Sequence, residues 1–171
     1  MITRDLVDAI REQFSISWSG IHGISHWSRV YEIGMKLTEQ TGANRNVVQL
    51  FSVFHDSRRF TEGSDPQHGP RGAKLAMQFR ATHLNGMAAE EFELLLEACR
   101  LHTSAQTHED ITVRTCFDSD RLDLGRVGTI PDPRLLCTDA ARVSDMISWA
   151  TANAERGTIP DNELGTYCND G

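Results

Sequence analysis

His55 and Asp56 end an apolar helical stripe at a point where a polar pair is costly. The residues before them, Val47, Leu50, Phe51 and Phe54, have the i, i+3, i+4, i+7 spacing of a core-facing helix. His55 stands one turn past Phe51, so its imidazole belongs to the buried side. A buried carboxylate beside a buried imidazole needs something that pairs with both. A divalent metal ion would do so. Comparable positions recur along the chain. Asp120 takes a core position in Val113, Phe117, Asp120, Leu124, and His102 ends the stripe Phe92, Leu95, Leu96, Cys99. His26 begins the stripe Val30, Ile33, Leu37, and His68 begins Gly72, Leu75, Ala76, Phe79. A single histidine on an apolar face is usually a hydrogen-bonded core residue. The set resists that explanation, because every member is His or Asp and none is Asn, Gln or Ser. Neutral imidazole and ionised carboxylate form the ligand set of Zn, Mn, Fe and related divalent ions.

Arginines accompany these residues. Arg58 and Arg59 follow the His-Asp pair, and Arg121 follows Asp120. A planar guanidinium offers phosphate two hydrogen bonds at once, so these side chains are candidates for substrate phosphate; solvent, or pairing with Asp118 and Asp123, is the alternative. Arg59 lies four residues after His55 and therefore on the same helical face, about one turn along. Asp123, three residues after Asp120, could hydrogen-bond a ligand histidine. His22 in the Gly20–Gly23 turn could line a pocket mouth, while His83 and His108 read as surface loop residues.

The elements that position these residues read as helices throughout, with no useful period-two alternation. The expected spans are 3–15, 24–40, 45–57, 66–82, 88–102, 109–125 and 138–155. Asn44 is placed to cap the third, and Asp65-Pro66 to open the fourth as N-cap and first helical residue. The expectation is an all-α single-domain bundle over residues 1–156, with 157–171 as a loosely held tail. At 171 residues, 39% apolar and 24% charged, the chain can bury a real core. A formal charge of -7 and a pI near 5.4 argue against a general nucleic-acid binder. No apolar run approaches the ~20 residues of a membrane span. Cys99, Cys116, Cys137 and Cys168 form no C-x-x-C pair, and the N-terminal residues lack a signal-peptide core, so a reducing, cytoplasmic setting is expected.

Taken in order, His26, His55-Asp56 and Asp120 resemble the layout of the HD superfamily of metal-dependent phosphohydrolases. His26-Trp27-Ser28-Arg29-Val30 is similar to the first-histidine motif of that family, Phe54-His55-Asp56 to its signature, and Asp118-Ser119-Asp120-Arg121-Leu122-Asp123 to its "D-A-D-R-L-D" segment. The resemblance spans about residues 20–125. His68-Gly69-Pro70-Arg71-Gly72-Ala73 resembles the helix start of the phosphodiesterase-like branch, in which extra histidines bind a second metal. His102-Thr103 resembles the "H-T" of hydrolases of diadenosine tetraphosphate, although those relatives carry two adjacent histidines where this chain has Leu101-His102. Enzymes that degrade (p)ppGpp have acidic residues where this chain has Arg59 and Phe60, so that chemistry is disfavoured.

The resemblance implies an HD-type helical bundle that binds one divalent ion (Mn, Fe, Co, Zn, Ni or Mg) at His26, His55, Asp56 and Asp120. It implies a possible second ion at His68 and His102, bridged by Asp56. Such ions activate water and neutralise charge on a phosphoryl group. The implied activity is hydrolysis of a small anionic substrate, a nucleotide above all, with a phosphomonoester, phosphodiester or pyrophosphate bond cleaved. Two alternatives stay open: a metal-bearing nucleotide-binding or regulatory domain without turnover, and a di-iron oxygenase.

Overall fold

The computed structural model describes Ile2 through Asn169, and among these residues every regular element is helical. The α-helices are α1 (Arg4–Arg11), α2 (Ile24–Thr41), α3 (Arg45–Phe54), α4 (His68–Gln78), α5 (Ala89–Leu101), α6 (Ile111–Arg121), α7 (Asp139–Arg142) and α8 (Ser144–Glu155). A 3-10 helix, Leu122–Val127, continues α6. The bundle is built around α2, which lies against α3 and α6, while α3 also packs on α5, α4 on α5, and α8 on the 3-10 segment. The first half of α2 presents Trp27 and Val30 to the main core with Phe51, Phe54, Leu95 and Phe117. Further along the helix, Ile33 and Leu37 enter a smaller core with Leu122, Leu136 and Ile147. Each fully buried large side chain here is worth about 1.5–3 kcal/mol against exposure.

Two helix ends carry the chemistry. Helix α3 stops at Phe54 because the next imidazole takes over its last carbonyls: His55 Nδ1–H reaches Phe51 O and Ser52 O, each at 3.1 Å. Helix α5 ends in the same manner, with His102 Nδ1–H donating to Cys99 O at 2.9 Å. Phe51 O already accepts the His55 amide at 3.0 Å, but last-turn carbonyls such as Ser52 O and Cys99 O run out of helical donors, so a C-terminal histidine satisfies them and turns its Nε2 outward. Helix α4 is brought close to both ends by missing side chains. A Cβ at Gly72 would come within 2.2 Å of Phe54 O, and one at Gly69 within 2.3 Å of Cys99 O.

Several expectations need revision. Helix α4 starts at His68, not at residue 66. Asp65 accepts instead from the Phe60 amide at 2.9 Å and from Arg71 at 2.5 Å. The predicted 138–155 helix is broken at Val143, which is extended. Asn44 does cap α3, accepting from Asn46 N and Val47 N. The segment expected as a loose tail is anchored among its described residues. Leu164 is fully buried, and Asn162 exchanges hydrogen bonds with Ser28 of α2. Its sparse apolar residues hid this, since the buried Leu164 and Tyr167 and one amide suffice to hold a short segment.

Candidate metal centre

His26 on α2, His55 and Asp56 after α3, and Asp120 near the end of α6 converge between the helices. His26 Nε2 lies 3.1 Å from His55 Nε2, 3.4 Å from Asp120 Oδ1 and 3.7 Å from Asp56 Oδ2. His55 Nε2 is 3.7 Å from Asp56 Oδ2 and 3.9 Å from Asp120 Oδ1. On the other side of Asp56, Oδ1 lies 3.1 Å from His68 Nε2, which is 2.9 Å from His102 Nε2. Asp56 therefore stands between two clusters with one carboxylate oxygen in each. His22 joins from the 20–23 turn, its Nδ1 at 2.8 Å from Asp56 Oδ2. The Phe51 ring forms the floor, stacked on His55 at 4.9 Å and edge-on to His102 at 5.7 Å.

The hydrogen bonds settle which ring nitrogens carry protons. A backbone carbonyl can only accept, so His55, His102 and His68 carry hydrogen on Nδ1, the last donating to Asp65 O at 2.5 Å. The Nδ1 of His26 is bound to the Asp123 carboxylate at 2.7 Å. All four rings consequently aim Nε2 lone pairs inward, facing one another in pairs. Burial drives the His55 imidazole down to about 3 and lowers His102 as well, so both are neutral at pH 7. Burial by itself raises the Asp56 carboxyl. The surrounding histidines, His55 first, with His22 donating from Nδ1, outweigh it and hold the group well below the ordinary carboxylate range. Asp120 follows the same pattern: burial raises it, and the contact with His26, with His55 and Arg126 nearby, lowers it.

Acceptors thus converge on two points with too few donors. Around the first, His26 Nε2, His55 Nε2, Asp120 Oδ1 and Asp56 Oδ2 meet. A shared proton would serve one pair, whereas a divalent cation serves all four. Nitrogens about 2.1 Å from one ion lie roughly 3.0–3.4 Å apart, close to the spacings found in both histidine pairs. The residues fit a metal ion, and the groups His26–His55–Asp120, Asp56–His68–His102 and His22–His26–Asp56 are each compact enough to hold one.

The architecture has a solved counterpart. Over 90% of this chain and 87% of the other, it superposes on the crystal structure of a predicted HD superfamily hydrolase from an uncultured Thermotogales bacterium, with a TM-score of 0.67 and 23% identity. The chain has the HD-domain fold. No protein-family model and no curated protein matches the sequence significantly.

Within this fold, the structure gathers His26, His55, Asp56, His68 and His102, all buried, and the partly exposed Asp120 into one region. Asp123 stands behind His26 and is gripped by Arg29 through bonds of 2.7 and 3.1 Å. Burial raises the Asp123 carboxyl, and His26 and Arg29 more than offset it. Arg59 reaches the region, but not along a helix, since α3 has ended. Its Nη1 lies 3.3 Å from Asp56 Oδ1, while Nη2 and Nε bond to Gly63 O and Thr61 O. Arg58 and Arg121 are elsewhere. Arg58 bonds to Gln13 O and lies over the Phe60 ring. Arg121 bonds to the carbonyls of Ala105, Gln106 and Leu135. Arg126 escaped the sequence reading, although its side chain is 9% exposed with Nη2 at 4.0 Å from Asp120. A signal existed: Asp120, Asp123 and Arg126 are three residues apart, the period of a 3-10 helix. His22 was harder to place, because it precedes α2 and no helical face includes it.

Proposed function

We propose that this chain is a metal-dependent phosphohydrolase acting on a small phosphorylated metabolite, with a nucleotide as the substrate class. The observation that carries the reading is the pair of facing imidazole lone pairs on either side of Asp56. His26, His55, Asp56 and Asp120 would hold one ion, and Asp56, His68 and His102 a second. Ions bound there would supply an activated water and polarise a phosphoryl oxygen.

The rest belongs to the chain. Carboxylates of Asp56, Asp120 and Asp123 are matched by the guanidinium groups of Arg29, Arg59 and Arg126. The buried region is thus near neutrality before any cation enters, and cations leave it attractive to a phosphate dianion. Access is on the side of Asp120, whose side chain is 19% exposed while His26 and His55 are sealed. Arg126 lies at that side, tied to Ile21 O and Asp123 O, and is the guanidinium best placed to meet a phosphate oxygen. Arg59, with its donors spent on the 61–63 loop and Asp56, holds Asp56 in register. His22, fixed on Asp56 through Nδ1, keeps its Nε2 lone pair to accept a hydrogen bond from substrate or water.

Metal analysis of the purified protein, followed by a phosphate-release screen over nucleotides with Mn, Co, Mg and Zn, tests the reading. Bound metal and release dependent on it are expected, with Arg126→Ala lowering kcat/KM by ~10–1,000-fold at constant metal content. Metal binding without release from any nucleotide would replace the enzyme by a binding domain. Redox-active iron with oxygen consumption would replace hydrolysis by oxygenation.

A further inference from the structure

A cleft of about 330 Å³ lies beside the metal centre, and its lining is threaded onto the centre itself. Thr103 follows His102, Arg121 follows Asp120, and Leu124 follows Asp123. Consecutive Cα atoms are 3.8 Å apart, so cleft and centre share a wall built from the ends of α5 and α6. The opposite wall is the 131–136 segment, where Leu135 keeps its side chain 56% exposed at the rim.

The chemistry of the cleft differs from that of the centre. Leu124, Pro131, Leu135 and Leu136 make it largely apolar, and Ser104 and Gln106 add hydroxyl and amide groups at its edge. Its one cation, Arg121, is not free to meet a phosphate. The guanidinium is spent on carbonyls of both walls, at 2.7 Å to Ala105 and 2.9 Å to Leu135, and rivets them together. A small-molecule site with apolar faces and a few polar edge groups suits a flat, uncharged heterocycle. The volume is at the lower end for such sites, enough for one base and part of its sugar.

We propose that this cleft is the nucleoside subsite: it seats the base of the substrate while the phosphate reaches Asp120 and the metal centre. The proposal rests on the phosphohydrolase reading for its direction, but binding in the cleft needs neither metal nor turnover. The test is therefore saturation-transfer NMR of the full chain with adenosine, guanosine, cytidine, uridine and thymidine, none of which carries a phosphate. At least one nucleoside should bind. Leu135→Asp, an exposed position whose change leaves the core intact, should weaken it at least tenfold with metal content and melting temperature unchanged. Gln106→Ala should alter the order of preference among the bases. Absence of binding by all five nucleosides, or equal binding by Leu135→Asp, overturns the subsite. If nucleosides bind and no nucleotide is hydrolysed, the cleft stands and the phosphohydrolase reading falls. If nucleotides are hydrolysed with KM untouched by Leu135→Asp, the cleft falls and the reading stands.

Discussion

The two halves of the centre share Asp56 but are supported differently. In the half formed with His26, His55 and Asp120, the candidate ligands stand on or directly after the packed helices α2, α3 and α6. His26 is backed by Asp123, Asp123 by Arg29, and Arg29 by Thr158 O at 3.4 Å. In the half formed with His68 and His102, His68 sits at the start of α4 after a long loop and is held by Asp65 O. The first half also offers a second carboxylate, Asp120, with the Arg126 guanidinium 4.0 Å away, whereas in the second a guanidinium stands closer, 3.3 Å from the one carboxylate oxygen. Carboxylate charge favours a divalent cation and a nearby guanidinium opposes it. The lesson is that similar histidine pairs, 3.1 and 2.9 Å apart, should differ in affinity because of what stands behind them.

Removing the brace of the first half should have the largest effect. Arg29→Ala takes from Asp123, with a side chain that is 0% exposed, its closest charge partner and leaves it Arg126 at 3.7 Å. A loss of about 3–5 kcal/mol is expected by denaturant unfolding of the metal-free protein, with partial recovery in Arg29→Lys. A cost under about 1 kcal/mol would mean that the brace contributes little.

Ligand removal then separates the halves. Asp120→Ala should weaken the tighter of two metal-binding events by ~10-fold or more, with the holoprotein melting lower in step. His68→Ala and His102→Ala should each abolish the weaker event and spare the tighter. Calorimetric titration that shows a single event in the wild type under saturating metal would remove the second half from the account.

Packing gives a subtler handle. Gly72→Ala forces a methyl group against Phe54 O and should cost about 1–3 kcal/mol. Because the strain falls between α4 and the end of α3, the weaker metal event should suffer more than the tighter one. Equal loss of both would show the halves to be mechanically one unit.

The smallest expected effect concerns protonation without metal. His55 titrates at about 3 when folded, against 6.5 for an unburied histidine. The unfolded chain therefore takes up a proton near 6.5 that the folded chain refuses until far lower pH. The stabilising contribution is complete above pH 6.5 and falls away as pH drops from there toward 3. At pH 5.5 one such group costs about 1.4 kcal/mol, or a melting temperature lower by roughly 3–6 °C. His102, lowered by the same burial, adds in the same direction. A metal-free melting temperature that is flat between pH 7 and 5.5 would contradict neutral, buried imidazoles.

Apolar periodicity carried most of the architecture. It located the helices of the bundle and singled out His26, His55, His68, His102 and Asp120, because a titratable residue at the end of a stripe is visible one chain segment at a time. Residues that act across elements were less legible. Arg58 and Arg121 have the right type and neighbours in sequence, yet their side chains bind carbonyls of other loops. Arg126 and His22 enter only because a 3-10 turn and a tight loop deliver them. Even the inward lone pairs depend on acceptors at helix ends and on Asp123, which decide where each imidazole keeps its proton. A one-dimensional pattern specifies which face of a helix is buried. Which atom of a long or ambidentate side chain meets which partner is decided by packing between elements far apart in the chain, where a shift of one ångström makes or breaks the contact.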